Sequence, residues 1–253
     1  MKLIVNADDL GRDVQTNDAI IGLARSGYIT SSSLMANGPA AEEAVGNLHK
    51  CPELSVGVHL NLTEFNPLTR SHDFGALRHC LNERGEFKGE MFLRAISIDS
   101  ALAEAIFGEL LAQVNWLISR DVKISHFDSH NHIHNIPGFF PILKRLQKHF
   151  GIRKVRTTWN IHGRQNQKGW SSRYQKMIWH YALRHYYRTV TTDGFCSLSD
   201  FVETASTQNL PHKSVEVMVH PGDADHTEET SLLCTNWRER IFPQTILINY
   251  DEL

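Results

Sequence analysis

Short apolar runs alternate with segments of helical periodicity along almost the whole chain of 253 residues. A short run that is apolar on both faces is typical of a strand in a parallel sheet covered by helices. Strands and helices that alternate in this way predict an α/β protein with parallel strands. The predicted strands are residues 3–5, 28–36, 54–62, 122–128, 154–158, 215–220 and 245–250.

The segments between these runs predict helices and two long loops. Apolar residues recur at helical spacing over 102–118 and 139–146, and a last helix is predicted over 228–240. Periodicity is lost over 63–98, and residues 160–190 are polar and basic with interleaved aromatic residues, so both are predicted as long insertions. No change of composition divides the chain, which predicts a single domain over 1–253.

Composition excludes several classes of protein. The formal net charge is −2 and no basic block dominates, which argues against a nucleic-acid partner. The four cysteines show no CxxC spacing and predict reduced structural thiols. The amino-terminal residues turn acidic before a signal-peptide core could form, and no apolar run approaches membrane-spanning length. We therefore expect a soluble cytoplasmic protein without a membrane partner.

Residues 126–134 (HFDSHNHIH) hold four histidines and one aspartate directly after a predicted strand. Because side chains alternate along a strand, His126, Asp128 and His130 share one face. Buried imidazoles and carboxylates need a hydrogen-bond partner or a metal, and this combination suits a divalent cation. The alternative is a polar loop that is rich in histidine or binds metal only weakly.

Titratable residues fall repeatedly at the carboxyl ends of predicted strands. Ligands of parallel α/β folds bind at this edge, and catalytic groups of barrels lie there. Individually these residues have ordinary explanations, such as a turn cap or a core histidine, but together they predict one site. They are Asp8, Asp9, His59, Asp128, His130 and His220.

Asp8 and Asp9 would point to opposite faces of a regular strand, so both reach one site only if the strand bends, as Gly11 would permit. One aspartate could then bind a metal with His59 and His130, while the other accepts a proton.

Three further residues complete the predicted site. His126 and Asp128 would orient the ligands. His220, held extended by Pro221, is the candidate to protonate a leaving group. The chain lacks a Gly-x-Ser-x-Gly elbow, a phosphate-binding glycine loop and a dinucleotide fingerprint, which leaves metal-assisted hydrolysis.

Four sequence blocks in this order resemble the YdjC-like carbohydrate deacetylases, including the chito-oligosaccharide deacetylases. They are residues 4–11 (IVNADDLG), 57–63 (GVHLNLT), 126–134 (HFDSHNHIH) and 218–222 (MVHPG). The resemblance extends over essentially the whole chain, to residues 247–250. Leu10 stands where the family usually has Phe, and Asn131 where a His is common; both departures bear on substrate detail.

The resemblance implies an irregular (β/α) barrel, similar to a TIM barrel, and removal of an acetyl group from an N-acetylated sugar such as diacetylchitobiose. It implies that Asp9, His59 and His130 bind one divalent ion, with magnesium the usual assignment, although two histidines would also suit zinc or another transition metal. Asp8 is then the base toward water and His220 the acid toward the departing amine, and Arg156 orients the ligands or lines the cleft.

Alternative functions remain at this point: a metal-dependent amidase or esterase for another small substrate, or a catalytically silent sugar-binding protein on the same scaffold. The resemblance is also compatible with a homodimer.

Overall fold

The computed structural model describes residues 1–69, 75–161, 170–207, 210–241 and 243–253, with the backbone alone at 170–175. Parts of the predicted insertions at 63–98 and 160–190 lie outside these residues. Within the described residues, seven strands form one parallel sheet. They are β1 (Lys2–Leu10), β2 (Ser31–Leu34), β3 (Ser55–Leu60), β4 (Ile124–Ser129), β5 (Gly194–Ser197), β6 (Ser214–Val219) and β7 (Ile246–Leu247).

Helices alternate with the strands, which confirms the predicted α/β class. They are α1 (Val14–Arg25), α2 (Ala41–Asn47), α3 (Glu90–Ala95), α4 (Ser100–Ile118), α5 (Phe140–Phe150), α6 (Trp170–His185), α7 (Leu198–Thr207), α8 (Thr227–Leu233) and α9 (Trp237–Ile241). Local sequence sets their ends: the Asp13 and Asp99 side chains cap α1 and α4, and Gly151 ends α5 in the left-handed conformation. The single helix predicted over 228–240 is wrong, because α8 ends at Leu233 and α9 begins at Trp237.

The strand order is β4-β3-β2-β1-β6-β5. The carboxyl-terminal half of β1 pairs with β2. Its first two residues, Lys2 and Leu3, pair with β7, which lies near the carboxyl terminus of the chain. Regular pairing leaves a gap between the edge strands β4 and β5. Residues 154–161 span this gap through single bridges, from Val155 to Phe127 of β4 and from Asn160 to Phe195 of β5. The sheet is therefore curled into an irregular, incompletely paired barrel rather than a regular one.

Two strand predictions differ from the structure. The predicted strand at 154–158 makes only isolated bridges, and β5 was not predicted because its four residues, GFCS, carry no strong strand signal.

The two faces of β1 enter different environments. Leu3, Val5 and Ala7 belong to the main apolar core. Ile4 packs with Ile248 and Tyr250 in a separate cluster. Because side chains alternate, the face that begins with Ile4 continues upward as Asn6 and Asp8. The barrel interior is thus apolar at its base and polar toward the carboxyl ends of the strands.

Helix α4 is long and apolar enough, by length and composition, to cross a membrane, which corrects the expectation that no run approaches that length. Eight of its residues, Leu102, Ile106 and Leu110 among them, are buried, and it packs against β3 and α5. A buried core helix passes the same test of length and composition.

Candidate active site

Three strand ends bring five of the predicted site residues to one edge of the sheet. Asp8 and Asp9 come from β1, His59 from β3, Asp128 from β4, and His130 from the turn directly after β4. All five side chains are buried, with at most 8% of each residue exposed. The structure therefore gathers these groups into a single pocket of titratable side chains.

The bend that turns both aspartates toward this pocket lies at Asp9 itself. Its φ of 68° is left-handed, a conformation that an aspartate adopts only at a cost on the order of 1 kcal/mol or more. The β1–β2 register shifts between Ala7 and Leu10, as in a bulge. Gly11, the nearby residue that we expected to permit the bend, is also left-handed with φ 94°. The strand thus bends at Asp9, with a second left-handed residue just beyond it.

His59 and His130 both approach the same carboxylate oxygen of Asp9. Oδ1 of Asp9 lies 3.1 Å from His59 Nε2 and 2.9 Å from His130 Nδ1. The second nitrogen of His59, Nδ1, lies 2.8 Å from Oδ1 of Asp128, which fixes the ring. A carboxylate behind a ligating histidine is the usual support of a metal ligand. The donor set and its support therefore fit a divalent cation.

The electrostatics of these three residues favour a positive charge between them. Burial alone would lower the pKa of His59, but Asp128 and Asp9 outweigh it and raise the pKa to about 10. Burial alone would raise the pKa of Asp9, but hydrogen bonds from His130 and His59 hold it well below its usual range. A field that stabilises imidazolium here also stabilises a bound cation, with the imidazoles neutral.

Arg156 holds the carboxylates beneath this set. Its fully buried guanidinium lies 2.6 and 2.7 Å from the two oxygens of Asp8, 2.9 Å from Asp128 and 2.9 Å from Glu216. Burial alone would raise the pKa of Asp8 and of Asp128, but Arg156 keeps both below the usual value. Arg156 thus fixes Asp8 as an ionised carboxylate in one orientation.

Glu216 is the third carboxylate that pairs with the guanidinium of Arg156, and its pKa is raised rather than lowered. Burial raises it to about 7, although Arg156 and the hydroxyl of Tyr250, which donates to Glu216, both lower it. Because the folded pKa is above the usual 4.5, the stability linked to the proton on Glu216 is complete below pH 4.5 and lost as pH rises through 7.

We therefore expect Glu216→Gln, an isostere of the protonated acid, to stay within about 1 kcal/mol of the wild type at pH 5. As pH rises to 8, the variant should become progressively more stable relative to the wild type. Urea unfolding at several pH values measures this difference, and Glu104→Gln, an exposed glutamate, is the matched control. Parallel pH profiles for wild type and Glu216→Gln would contradict the assignment.

His126 lies deeper in the barrel than the predicted orienting role requires. Its ring stacks on Tyr250 with centroids 3.5 Å apart, and its Nδ1 pairs with the hydroxyl of Ser125. Burial lowers its pKa to about 3, so it is neutral. Gly57 of β3 makes room for it, because a Cβ there would meet the ring at 2.4–2.6 Å. His126 shares the face of Asp128, as predicted, but packs in the layer below and contacts none of the three converging residues among the described contacts.

His220 follows β6 at the same edge. Burial disfavours its charged form, but Glu229, Asp8 and Asp9 outweigh burial and raise its pKa. His132 and His134, after His130, are neutral because burial lowers the pKa of both. Asn131 and His132 both have φ of 51°, which turns the chain sharply beside the pocket.

Several residues of the site were missed by sequence reasoning. Ser33 donates 2.7 Å to Asp128 and lies 3.0 Å from His59, and Glu64 lies 3.3 Å from His130. Glu216 carried a usable signal, a lone carboxylate inside the apolar run of residues 215–219. Ser33 carried none, because a serine in a strand is unremarkable by itself.

A parallel α/β fold that buries three aspartates and two histidines together at the carboxyl edge of its sheet has the architecture of an enzyme. The sequence model of the family described as YdjC-like protein matches residues 2–242, so the chain belongs to this family.

Individual relatives agree with this assignment. The chain is 32% identical to a carbohydrate deacetylase of Brevibacillus brevis over 234 residues, which cover 89% of this chain and 83% of that protein. It is 28% identical over 253 residues to a carbohydrate deacetylase of Vibrio vulnificus, covering 100% of this chain and 90% of the relative. A crystal structure from Enterococcus faecalis V583, 19% identical, superposes with a TM-score of 0.77 over 99% of this chain and 98% of the other, which supports the fold.

Proposed function

We propose that this protein is a metal-dependent hydrolase that removes the acetyl group from N-acetylated sugars, including oligosaccharides of N-acetylglucosamine such as N,N′-diacetylchitobiose. As a member of the YdjC-like family related to several carbohydrate deacetylases, the chain is a carbohydrate deacetylase, a hydrolase of non-peptide C–N bonds. The observation that carries the metal-dependent part is the convergence of Asp9, His59 and His130, with Asp8 and His220 at the same edge.

Asp9, His59 and His130 would hold the ion. When bound, a divalent cation would polarise the acetamide carbonyl and acidify water in the pocket. Magnesium is the assignment that the family resemblance favours, whereas two imidazole ligands suit zinc or another transition metal. The remaining chemistry belongs to Asp8 and His220.

Asp8 is the proposed base toward water. Its Oδ1 accepts hydrogen bonds from Asn6 and Arg156, and its Oδ2 accepts one from Arg156. A carboxylate has about four lone-pair sites, so one site, on Oδ2, remains to accept a proton. Arg156 lowers the basicity of Asp8 but keeps it ionised and fixed, so that the group is always in the form that accepts a proton.

His220 is the proposed acid toward the leaving amine. Its raised pKa favours the imidazolium near neutral pH, the form that can donate a proton. Asp8 takes one proton from water as the water oxygen bonds to the acetyl carbon, the C–N bond breaks, and the nitrogen leaves with the proton from His220. The products are acetic acid, which ionises to acetate, and a free amino sugar. As the site resets, Asp8 gives up its proton and His220 takes one up.

The proposal is tested by acetate release from N,N′-diacetylchitobiose. We expect release by the purified protein, its loss after treatment with a chelator and dialysis, and its return on addition of a divalent ion. A panel of Mg²⁺, Zn²⁺, Mn²⁺ and Co²⁺ identifies the ion. Fully deacetylated chitobiose is the substrate control, and acetanilide and p-nitrophenyl acetate detect a more general amidase or esterase. The absence of metal-dependent release from every N-acetylated sugar tested would overturn the proposal.

A further inference from the structure

A second group of three side chains of metal-ligating types lies close together at the loop that follows β6. His220 and His226 lie with ring centroids 4.5 Å apart and planes inclined by 28°. Oε2 of Glu229, in the first turn of α8, lies 3.6 Å from Nδ1 of His220 and 3.9 Å from Nδ1 of His226. Potential ligand atoms of the three residues all lie within 4.8 Å of one another.

The two distances from Oε2 of Glu229 exceed a hydrogen bond and lie somewhat above the spacing of metal ligands. Two ligands of a tetrahedral zinc ion with bonds of about 2.0–2.1 Å are separated by roughly 3.3 Å. The two Oε2–Nδ1 distances exceed this spacing by about 0.3 and 0.6 Å, so small side-chain movements would bring these atoms to the ligand spacing. Nδ1 of His220 is buried and has no hydrogen-bond partner among the described residues, and such an atom is costly unless something binds it.

The carboxylate of this cluster is fixed in advance. Glu229 is buried, and its Oε2 accepts a hydrogen bond of 2.8 Å from the backbone N–H of His220. This bond ties α8 to the residue after β6 and orients the carboxylate as a metal ligand requires. The side chain of His226 is 42% exposed, which gives an ion a path into the cluster from solvent.

We infer that His220, His226 and Glu229 form a second divalent-metal site, distinct from that of Asp9, His59 and His130. Two imidazoles and one carboxylate suit a borderline transition metal such as Zn²⁺ better than magnesium. Three protein ligands leave a fourth tetrahedral position for water.

A metal in this second site inhibits the enzyme. An ion bound to Nδ1 of His220 occupies the lone pair that the imidazole needs to take up its second proton. His220 then cannot become imidazolium and cannot protonate the leaving amine. This consequence depends on the proposed function, whereas the binding of the metal does not.

The binding test uses the full chain after chelator treatment, titrated with Zn²⁺ by isothermal calorimetry and checked by metal analysis of the dialysed protein. We expect two zinc ions per wild-type chain, one in His226→Gln, and one in His130→Ala, which keeps the second site. His149→Gln, an exposed histidine on α5, should still bind two. The same number of zinc ions in His226→Gln as in the wild type would overturn the second site whether or not the protein releases acetate.

The activity test follows acetate release while Zn²⁺ is raised beyond one equivalent. Release by the wild type should fall at least tenfold, whereas release by His226→Gln, measured against its own rate without excess zinc, should resist the addition. Equal inhibition of the two proteins would refute the inhibitory role and leave the zinc stoichiometry to decide the site.

Discussion

Replacing Arg156 with methionine is expected to lower the free energy of unfolding by about 3–5 kcal/mol, the range measured when one partner of a buried ion pair is removed. The change leaves Asp8 and Asp128 buried without their shared cation. Urea unfolding followed by circular dichroism measures the loss. Arg84→Met is the matched control, because the side chain of Arg84 is 80% exposed and pairs with Glu86 at the surface. Its loss of stability should be within about 1 kcal/mol.

The loss of unfolding free energy in Arg156→Met should also depend on pH in a defined direction. Without the guanidinium, burial raises the folded-state pKa of both carboxyls, so the variant loses stability as pH rises and recovers part of it as pH falls. Arg156→Lys keeps the charge but not the bidentate fork, and it serves where the methionine variant fails to fold. Wild-type stability in Arg156→Met at pH 8 would show that the guanidinium does not hold the barrel interior together.

His130→Ala is expected to abolish metal-dependent acetate release. Loss of a residue that hydrogen-bonds to a metal ligand typically weakens metal affinity or activity by about 10–100-fold. Loss of the ligand itself should have a larger effect. The reason is geometric: Nδ1 of His130 and Nε2 of His59 are the two imidazole nitrogens that contact Oδ1 of Asp9 among the described residues.

Acetate release and metal titration of the same preparation measure the effect of His130→Ala, with His149→Ala on the exposed face of α5 as the matched control. The control should retain full activity. Full activity of His130→Ala with its metal still bound would refute the proposed ligand set.

The parallel α/β class could be predicted from the alternation of apolar runs and helical periodicity, because that pattern admits few architectures. The same logic places Asp8, His59 and His130 at the carboxyl edge of the sheet, since residues at the ends of parallel strands meet there. Their predicted roles as base and ligands remain proposals.

Two kinds of feature could not be predicted from the sequence: how deep in the barrel a side chain lies, and where the backbone pairs or breaks locally. A period of two assigns His126 and Asp128 to one face but cannot say that His126 lies a layer lower, against Tyr250. Residues 154–158 have strand composition yet make only single bridges, because pairing depends on where neighbouring strands end. The break between α8 and α9 could not be predicted either, because helical periodicity continues across it.

The left-handed backbone of Asp9 sets a limit on how the protein can be improved. Glycine adopts a φ of 68° freely, so a search for heat-resistant variants would be drawn toward glycine at position 9. That substitution removes the carboxylate on which His59 and His130 converge. Stability and the proposed metal binding therefore compete at a single residue, and directed evolution of this enzyme would need to hold position 9 constant while seeking stability elsewhere.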